Sequence, residues 1–184
     1  EDWNWATGEM PDLNWDPVRA ESGEVAAAWF PTGPADTLET GTLFFLNAIN
    51  TATSRLWIVS PYFVPDEQLM SALQLAALRG VDVRILIPQN PDHLHVYLSG
   101  LSYLEEAKEA GVEIYRYQPG FLHQKVWLID DYASLIGTAN LDNRSMRLNF
   151  EVTMLMLSKE FAGEVESMLE ADFDKSKLAS AAEY

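Results

Sequence analysis

The stretch RLWIVSPYFVPDEQLMSALQLAALRGVDVRILIP, residues 55–88, holds the architecture in miniature. RLWIVS (55–60) is a short apolar run that reads as a buried strand, halted by Pro61. Asp66 is placed as the N-cap of a helix from about residue 67 to 79, and Gly80 ends it. VDVRILIP (81–88) is a second buried strand. A helix over about 94–110, closed by Gly111, and the strand VEIYRY (112–117) repeat the unit. Strand–helix–strand–helix–strand with apolar strands is the pattern of a parallel α/β sheet.

Upstream, VAAAWF (25–30) reads as a short strand stopped by PTGPAD, and the spacing of Leu43, Leu46 and Ile49 predicts a helix within 37–54. Residues 1–24 read as an irregular lead, with no strand or helix pattern of their own. After Tyr117 the rhythm changes. HQKVWLID, SLIGTA and NFEVTMLML follow in quick succession with no helix between them, which predicts added strands, partly antiparallel. A last helix covers 159–173 and residues 176–184 form a tail. The expected fold class is α/β: one α/β/α sandwich with a mixed β-sheet over residues 25–175.

Composition narrows the function. With 48% apolar residues over 184 positions the chain can bury a core, and without cysteine it has neither disulfides nor thiolate metal ligands. Its net charge of −16 argues against nucleic acid as the main partner, because backbone affinity comes from clustered Lys and Arg. The apolar runs break well short of a membrane-spanning helix. The chain does not start with Met and opens abruptly, so it reads as a piece of a longer protein.

HQKVWLIDDYASLIGTANLDNRSMRLNFE, residues 123–151, carries the chemistry. His123 and Lys125, Thr138 and Asn140, and Asn149 and Glu151 are three pairs two residues apart. On strands each pair projects to one face, and adjacent strands would bring the pairs together. A histidine serves as nucleophile or as general acid and base. Glu151 bonded to its far ring nitrogen would fix the tautomer. Lys125, Asn140 and the Thr138 hydroxyl would supply charge and donors to a phosphoryl group in its transition state, with no metal or cofactor required. Taken singly each residue has an ordinary structural reading; the joint spacing argues for function.

Other positions carry two readings. Arg144 contacts phosphate or pairs with Asp142. Tyr62 follows a strand end, where ligands of α/β sheets sit, and PYFVPD lines an entrance or forms a rigid loop with Asp66 as cap. His93, beside Asp92, binds a headgroup or faces solvent, as does His95. Trp3, Trp5 and Trp15 are lipid contacts or, the preferred reading, apolar surface that packs on a missing half.

His123, Lys125, Asp130, Gly137, Thr138 and Asn140 match H-x-K-x4-D-x6-G-[ST]-x-N, and through it the chain resembles the phospholipase D superfamily. Segments 61–88 and 120–151 resemble the C-terminal half of bacterial cardiolipin synthases, and EDWNWATGE (1–9) resembles the end of their first half. The resemblance implies a phosphatidyltransferase joining two phosphatidylglycerols into cardiolipin and releasing glycerol. One histidine forms a phosphohistidine and the other acts as acid and base. Each comes from one half, and this chain supplies the second half. The analogy favours His123 as acid and base, and the sequence leaves the two roles open. Glu151 is by position the carboxylate partner, and Asp130 belongs to the motif with a structural role in the superfamily. Partners implied are the phospholipid, the other motif-bearing half or a second copy, and the bacterial cytoplasmic membrane, reached through segments outside this chain. Two rivals remain: a phosphodiesterase of the superfamily acting on lipid or DNA, and an inactive lipid- or partner-binding half.

Overall fold

The two strands of the 55–88 stretch lie side by side in parallel, with Ile58 opposite Ile85. A computed structural model describes residues 2–14, 16, 23, 25–90 and 92–179; Trp15 and the end of the tail, 180–184, lie outside the described residues. In chain order the elements are α1 (Asp2–Thr7), β1 (Ala26–Thr32), α2 (Thr40–Thr51), β2 (Arg55–Val59), β3 (Phe63–Val64), α3 (Glu67–Leu78), β4 (Asp82–Pro88) and α4 (Leu94–Glu109). They continue with β5 (Glu113–Tyr117), β6 (Val126–Ile129), β7 (Ala133–Gly137), β8 (Leu141–Asp142), α5 (Asn143–Arg147), β9 (Glu151–Leu157), α6 (Lys159–Phe173) and β10 (Ser176–Leu178).

Eight strands form one sheet in the order β1-β9-β7-β6-β2-β4-β5-β10, and β3 and β8 form a small parallel pair beside it. β2, β4 and β5 are parallel. β6 runs antiparallel to β2, and β7, β9 and β1 continue antiparallel from it. The sheet is therefore mixed, as expected.

Strand alternation sorts the core into two layers. Leu56, Ile58, Ile85, Ile87, Ile114 and Trp127 pack with α2, α3 and α4 on one face. Trp57, Val59, Leu86, Val126 and Leu128 pack with Val165, Leu169 and Phe173 of α6 on the other. Strands covered on both faces read as continuous apolar runs, which is why RLWIVS and VDVRILIP were legible. Asp66 caps α3, accepting from Leu69 N at 2.8 Å. In α2 the buried face is Phe45, Ala48 and Ile49; Leu43, expected on that face, is 47% exposed.

Three expectations are corrected. The lead contains a helix, α1, at Asp2–Thr7, with Trp3 and Trp5 exposed. Residues 176–178, read as tail, form β10 antiparallel to β5. A helix, α5, stands between the late strands where none was expected; Asp142 caps it, accepting from Ser145 N at 2.7 Å. Among the described residues no helix is long and apolar enough to cross a membrane.

Candidate active site

Antiparallel pairing decides where the motif residues meet. Because β6, β7 and β9 alternate in direction, the start of β6, the end of β7 and the start of β9 share one edge of the sheet. Val59 at the end of β2 pairs with Val126 at the start of β6, so the carboxyl ends of the parallel strands share that edge too. His123, Lys125, Thr138, Asn140 and Glu151 are thus gathered at one end, with the loops that carry Tyr62 and His93. All of these polar residues except Glu151 flank the strands: β6 begins at Val126, β7 ends at Gly137, and Glu151 is the first residue of β9.

Gly137 is required at this corner. A Cβ there would lie 2.3 Å from the carbonyl oxygen of Val152, so β9 can approach only a glycine. Thr138 follows and fastens the same junction. Its hydroxyl accepts from Val152 N at 2.9 Å and its own N–H donates to Val152 O at 3.0 Å. Thr138 thus pins the β7–β9 corner, and its side chain is exposed at the same sheet edge.

Lys125 is half-buried and its Nζ donates to His123 O at 2.9 Å. Burial pushes its pKa down, against the opposing pull of Glu151, Asp142 and Asp92. The His123 ring is exposed, stacks on Phe121 with ring centres 5.6 Å apart and, among the described residues, makes no hydrogen bond. The expected His123–Glu151 bond is therefore absent. Glu151 Oε1 instead accepts from Asn149 Nδ2 at 3.1 Å, and Asn149 Oδ1 accepts from Arg144 Nε at 3.2 Å. Arg144 does not pair with Asp142, whose carboxylate caps α5; burial raises the pKa of Asp142. Asn140 N donates to the buried hydroxyl of Ser145 at 3.0 Å, and Asn140 Oδ1 is buried without a partner.

On the facing wall the Tyr62 hydroxyl donates to Asp92 Oδ2 at 2.7 Å, and His93 Nε2 lies 3.7 Å from the same oxygen. Burial, aided by Asp92, pushes the Tyr62 hydroxyl up to about 12, so it stays protonated and a donor. Between these walls an open cavity of about 510 Å³ is lined by Tyr62, His93, Asn140, Asn143, Arg144 and Asn149 among others.

Asp130 is a correction to the catalytic set. It stands just past the far end of β6 from His123, with the four strand residues Val126–Ile129, about 13 Å at about 3.3 Å per residue, between the two ends. There its buried carboxylate accepts from the backbone N–H groups of Thr53, Ser54 and Arg55 and from the hydroxyls of Thr53 and Ser54. Burial alone would raise its pKa, but these donors outweigh it and hold the carboxyl at about 2. Its backbone lies in the left-handed region at φ 53°, a turn conformation that aspartate tolerates.

Sequence reasoning missed Ser145 and Asn143, and gave Asn149 no role of its own. The signal available was Asp142 followed by Ser145 at capping distance, which marks a helix start.

Known proteins resemble this chain in sequence and in fold. A chain from Pseudomonas entomophila called cardiolipin synthase A is 55% identical over 98% of this chain and 38% of its own length. One of the same name from Pseudomonas aeruginosa is 56% identical over 96% of this chain and 36% of its own length. The chain thus spans well under half the length of these curated relatives. By fold it is similar to the phospholipase D family member Nuc of Salmonella typhimurium (TM-score 0.73, 17% identity, 86% of this chain and 100% of that one). It is equally similar to phosphatidylserine synthase of Haemophilus influenzae (TM-score 0.73, 16% identity, 97% of this chain and 45% of that one). Residues 45–173 match the family described as cardiolipin synthase, PLD-like domain, and the chain belongs to that family.

Proposed function

We propose that this chain is the second catalytic half of a phosphatidyltransferase that converts two phosphatidylglycerols into cardiolipin and glycerol. The observation that carries the reading is the gathering of His123, Lys125, Asn140 and Glu151 at one sheet edge, in a chain of the cardiolipin synthase, PLD-like domain family. In the first displacement a histidine ring nitrogen forms a P–N bond as the bond from phosphorus to the leaving glycerol oxygen breaks, and the second histidine donates that oxygen its proton. In the second, the acceptor hydroxyl forms a P–O bond as the P–N bond breaks, and its proton returns to the second histidine. Lys125 and Asn140 stabilise the charge on the phosphoryl oxygens, and Glu151 waits to orient His123.

A His123 ring without a hydrogen-bond partner among the described residues fits a half-site that the rest of the parent completes. Residues 1–24 are the lead from the preceding half, and exposed Trp3 and Trp5 support packing against it. Residues 25–175 are the motif-bearing domain. The parent works at the bacterial cytoplasmic membrane, held by segments outside this chain. With a charge of −16 the lipid reading is favoured over a nuclease.

The test is mass-spectrometric analysis of phosphatidylglycerol vesicles incubated with the parent that contains both halves. Cardiolipin and glycerol are expected. Phosphatidic acid in their place would make the enzyme a hydrolase, and no turnover would leave a binding module.

A further inference from the structure

We propose that the cavity between β8–α5 and the start of α4 is the acceptor subsite, in which Arg144 receives the non-reacting phosphate of a glycerophosphate-bearing alcohol. The inference rests on the phosphatidyl-transfer reading and names the second member of the substrate pair.

The first argument is charge. The chain carries 28 carboxylates against 12 Lys and Arg, so a cation readily finds a partner. Arg55, Arg84, Arg147, Lys159 and Lys175 each have a carboxylate within ion-pair distance. At the site end, Lys125 and Arg144 make no ion pair among the described residues; the Lys125 ammonium donates to a carbonyl oxygen and the Arg144 guanidinium to an amide oxygen. Arg144 is kept open by specific neighbours. Asn149 Oδ1 takes its Nε at 3.2 Å, and Asp142, two residues earlier, spends its carboxylate on Ser145 N at 2.7 Å. The rest of the exposed guanidinium fork remains for a ligand, and that fork matches phosphate oxygens.

The second argument is position. The cavity shares Asn140 and Asn149 with the reaction centre, and Asn149 holds Glu151, so a ligand in it abuts the reacting phosphorus. At about 510 Å³ it is the size of a small-molecule site. The carboxylates there are engaged: Asp142, itself in the cavity wall, caps α5, and Asp92 is held by Tyr62 and lies near His93. His93, His95 and Ser99 add polar groups to the wall.

The third argument is the chemistry of transfer. The attacking hydroxyl of a phosphatidylglycerol acceptor is joined to a second phosphate through a three-carbon bridge. Two phosphates at one sheet edge call for two cations, Lys125 for the reacting one and Arg144 for the other. Water and glycerol lack the second phosphate, so the Arg144 contact gives the lipid acceptor its advantage over both.

The test uses the parent with both halves, phosphatidylglycerol vesicles as donor, and isotope-labelled glycerol or glycerophosphoglycerol as soluble acceptor. The ratio of kcat/KM for the two acceptors is measured by mass spectrometry. The parent is expected to favour glycerophosphoglycerol, with the ratio falling about tenfold or more in Arg144→Gln and less in Arg144→Lys. An unselective parent overturns the proposal. So does Arg144→Gln with the ratio intact, including equal loss on both acceptors, which would make Arg144 a positioning residue acting through Asn149. A parent that transfers to no alcohol overturns the phosphatidyl-transfer reading as well, which separates the two failures.

Discussion

The short strand β6 separates two motif residues with opposite surroundings. Beyond its last residue, Asp130 accepts from three backbone N–H groups and two hydroxyls, while Arg55 Nε donates to its carbonyl oxygen at 2.7 Å. Before its first residue, the His123 ring has, among the described residues, only the Phe121 ring stacked on it, and Lys125 holds one carbonyl oxygen. One end ties the α2–β2 loop to the sheet, and every bond there is made within the chain. The other end leaves the His123 ring without a hydrogen bond among the described residues and Lys125 with one, to a carbonyl oxygen. One motif can thus join two jobs, because a strand fixes the distance between them.

The comparison breaks most clearly at Lys125. Lys125→Ala in the parent is expected to lower kcat by about 10²–10³-fold, since it removes a cation from the phosphoryl transition state. Its melting temperature should hold, because the ammonium makes one bond, to the neighbouring His123 carbonyl. Steady-state kinetics and calorimetry on the same preparation check both halves of the statement.

Asp130 should behave in the opposite way. Asp130→Ala leaves three backbone N–H groups without their acceptor and is expected to cost about 3 kcal/mol of stability, read from urea midpoints. The same group makes stability depend on acid. Its folded pKa of about 2 lies below the ordinary 3.8, so the folded state binds this proton less tightly than the unfolded chain. The resulting stabilisation, about 2 kcal/mol, is complete above about pH 4 and is lost as pH falls toward about 2. A urea midpoint that declines over that range in the wild type and stays flatter in Asp130→Asn is the expected pattern.

Asn149 sharpens the site end at a smaller scale. It holds Glu151 with one side of its amide and Arg144 with the other. Asn149→Ala is expected to lower kcat about tenfold through a misplaced Glu151, leaving the fold intact. A fall in kcat/KM with unchanged kcat would place Asn149 in substrate binding instead.

The sequence made the parallel strands and the motif legible for different reasons. The centres of RLWIVS and VDVRILIP are covered on both faces, so burial wrote itself as the short apolar runs LWIV and ILI. The G-T-A-N spacing was readable because glycine is forced where β9 crosses within contact of Gly137. α5 was not readable, because five residues are too few for a helical period, and its Asp142 cap resembles a turn. The hydrogen-bond partners of Thr138 and Glu151 were hidden for another reason: a hydroxyl or carboxylate pairs with whatever the tertiary fold sets beside it, here Val152 and Asn149. β10 was hidden because its three residues have little pattern beyond a place against β5.

The most direct measurement compares cardiolipin formed per folded molecule by two variants of the parent, His123→Ala and Asp130→Asn, each with its melting curve. Chemistry at one end of β6 and fold at the other predicts an inactive His123→Ala with an unchanged melting temperature. It also predicts an Asp130→Asn that melts earlier yet remains active below its transition. An active His123→Ala, or an Asp130→Asn that keeps its melting temperature and loses its activity, would contradict the account.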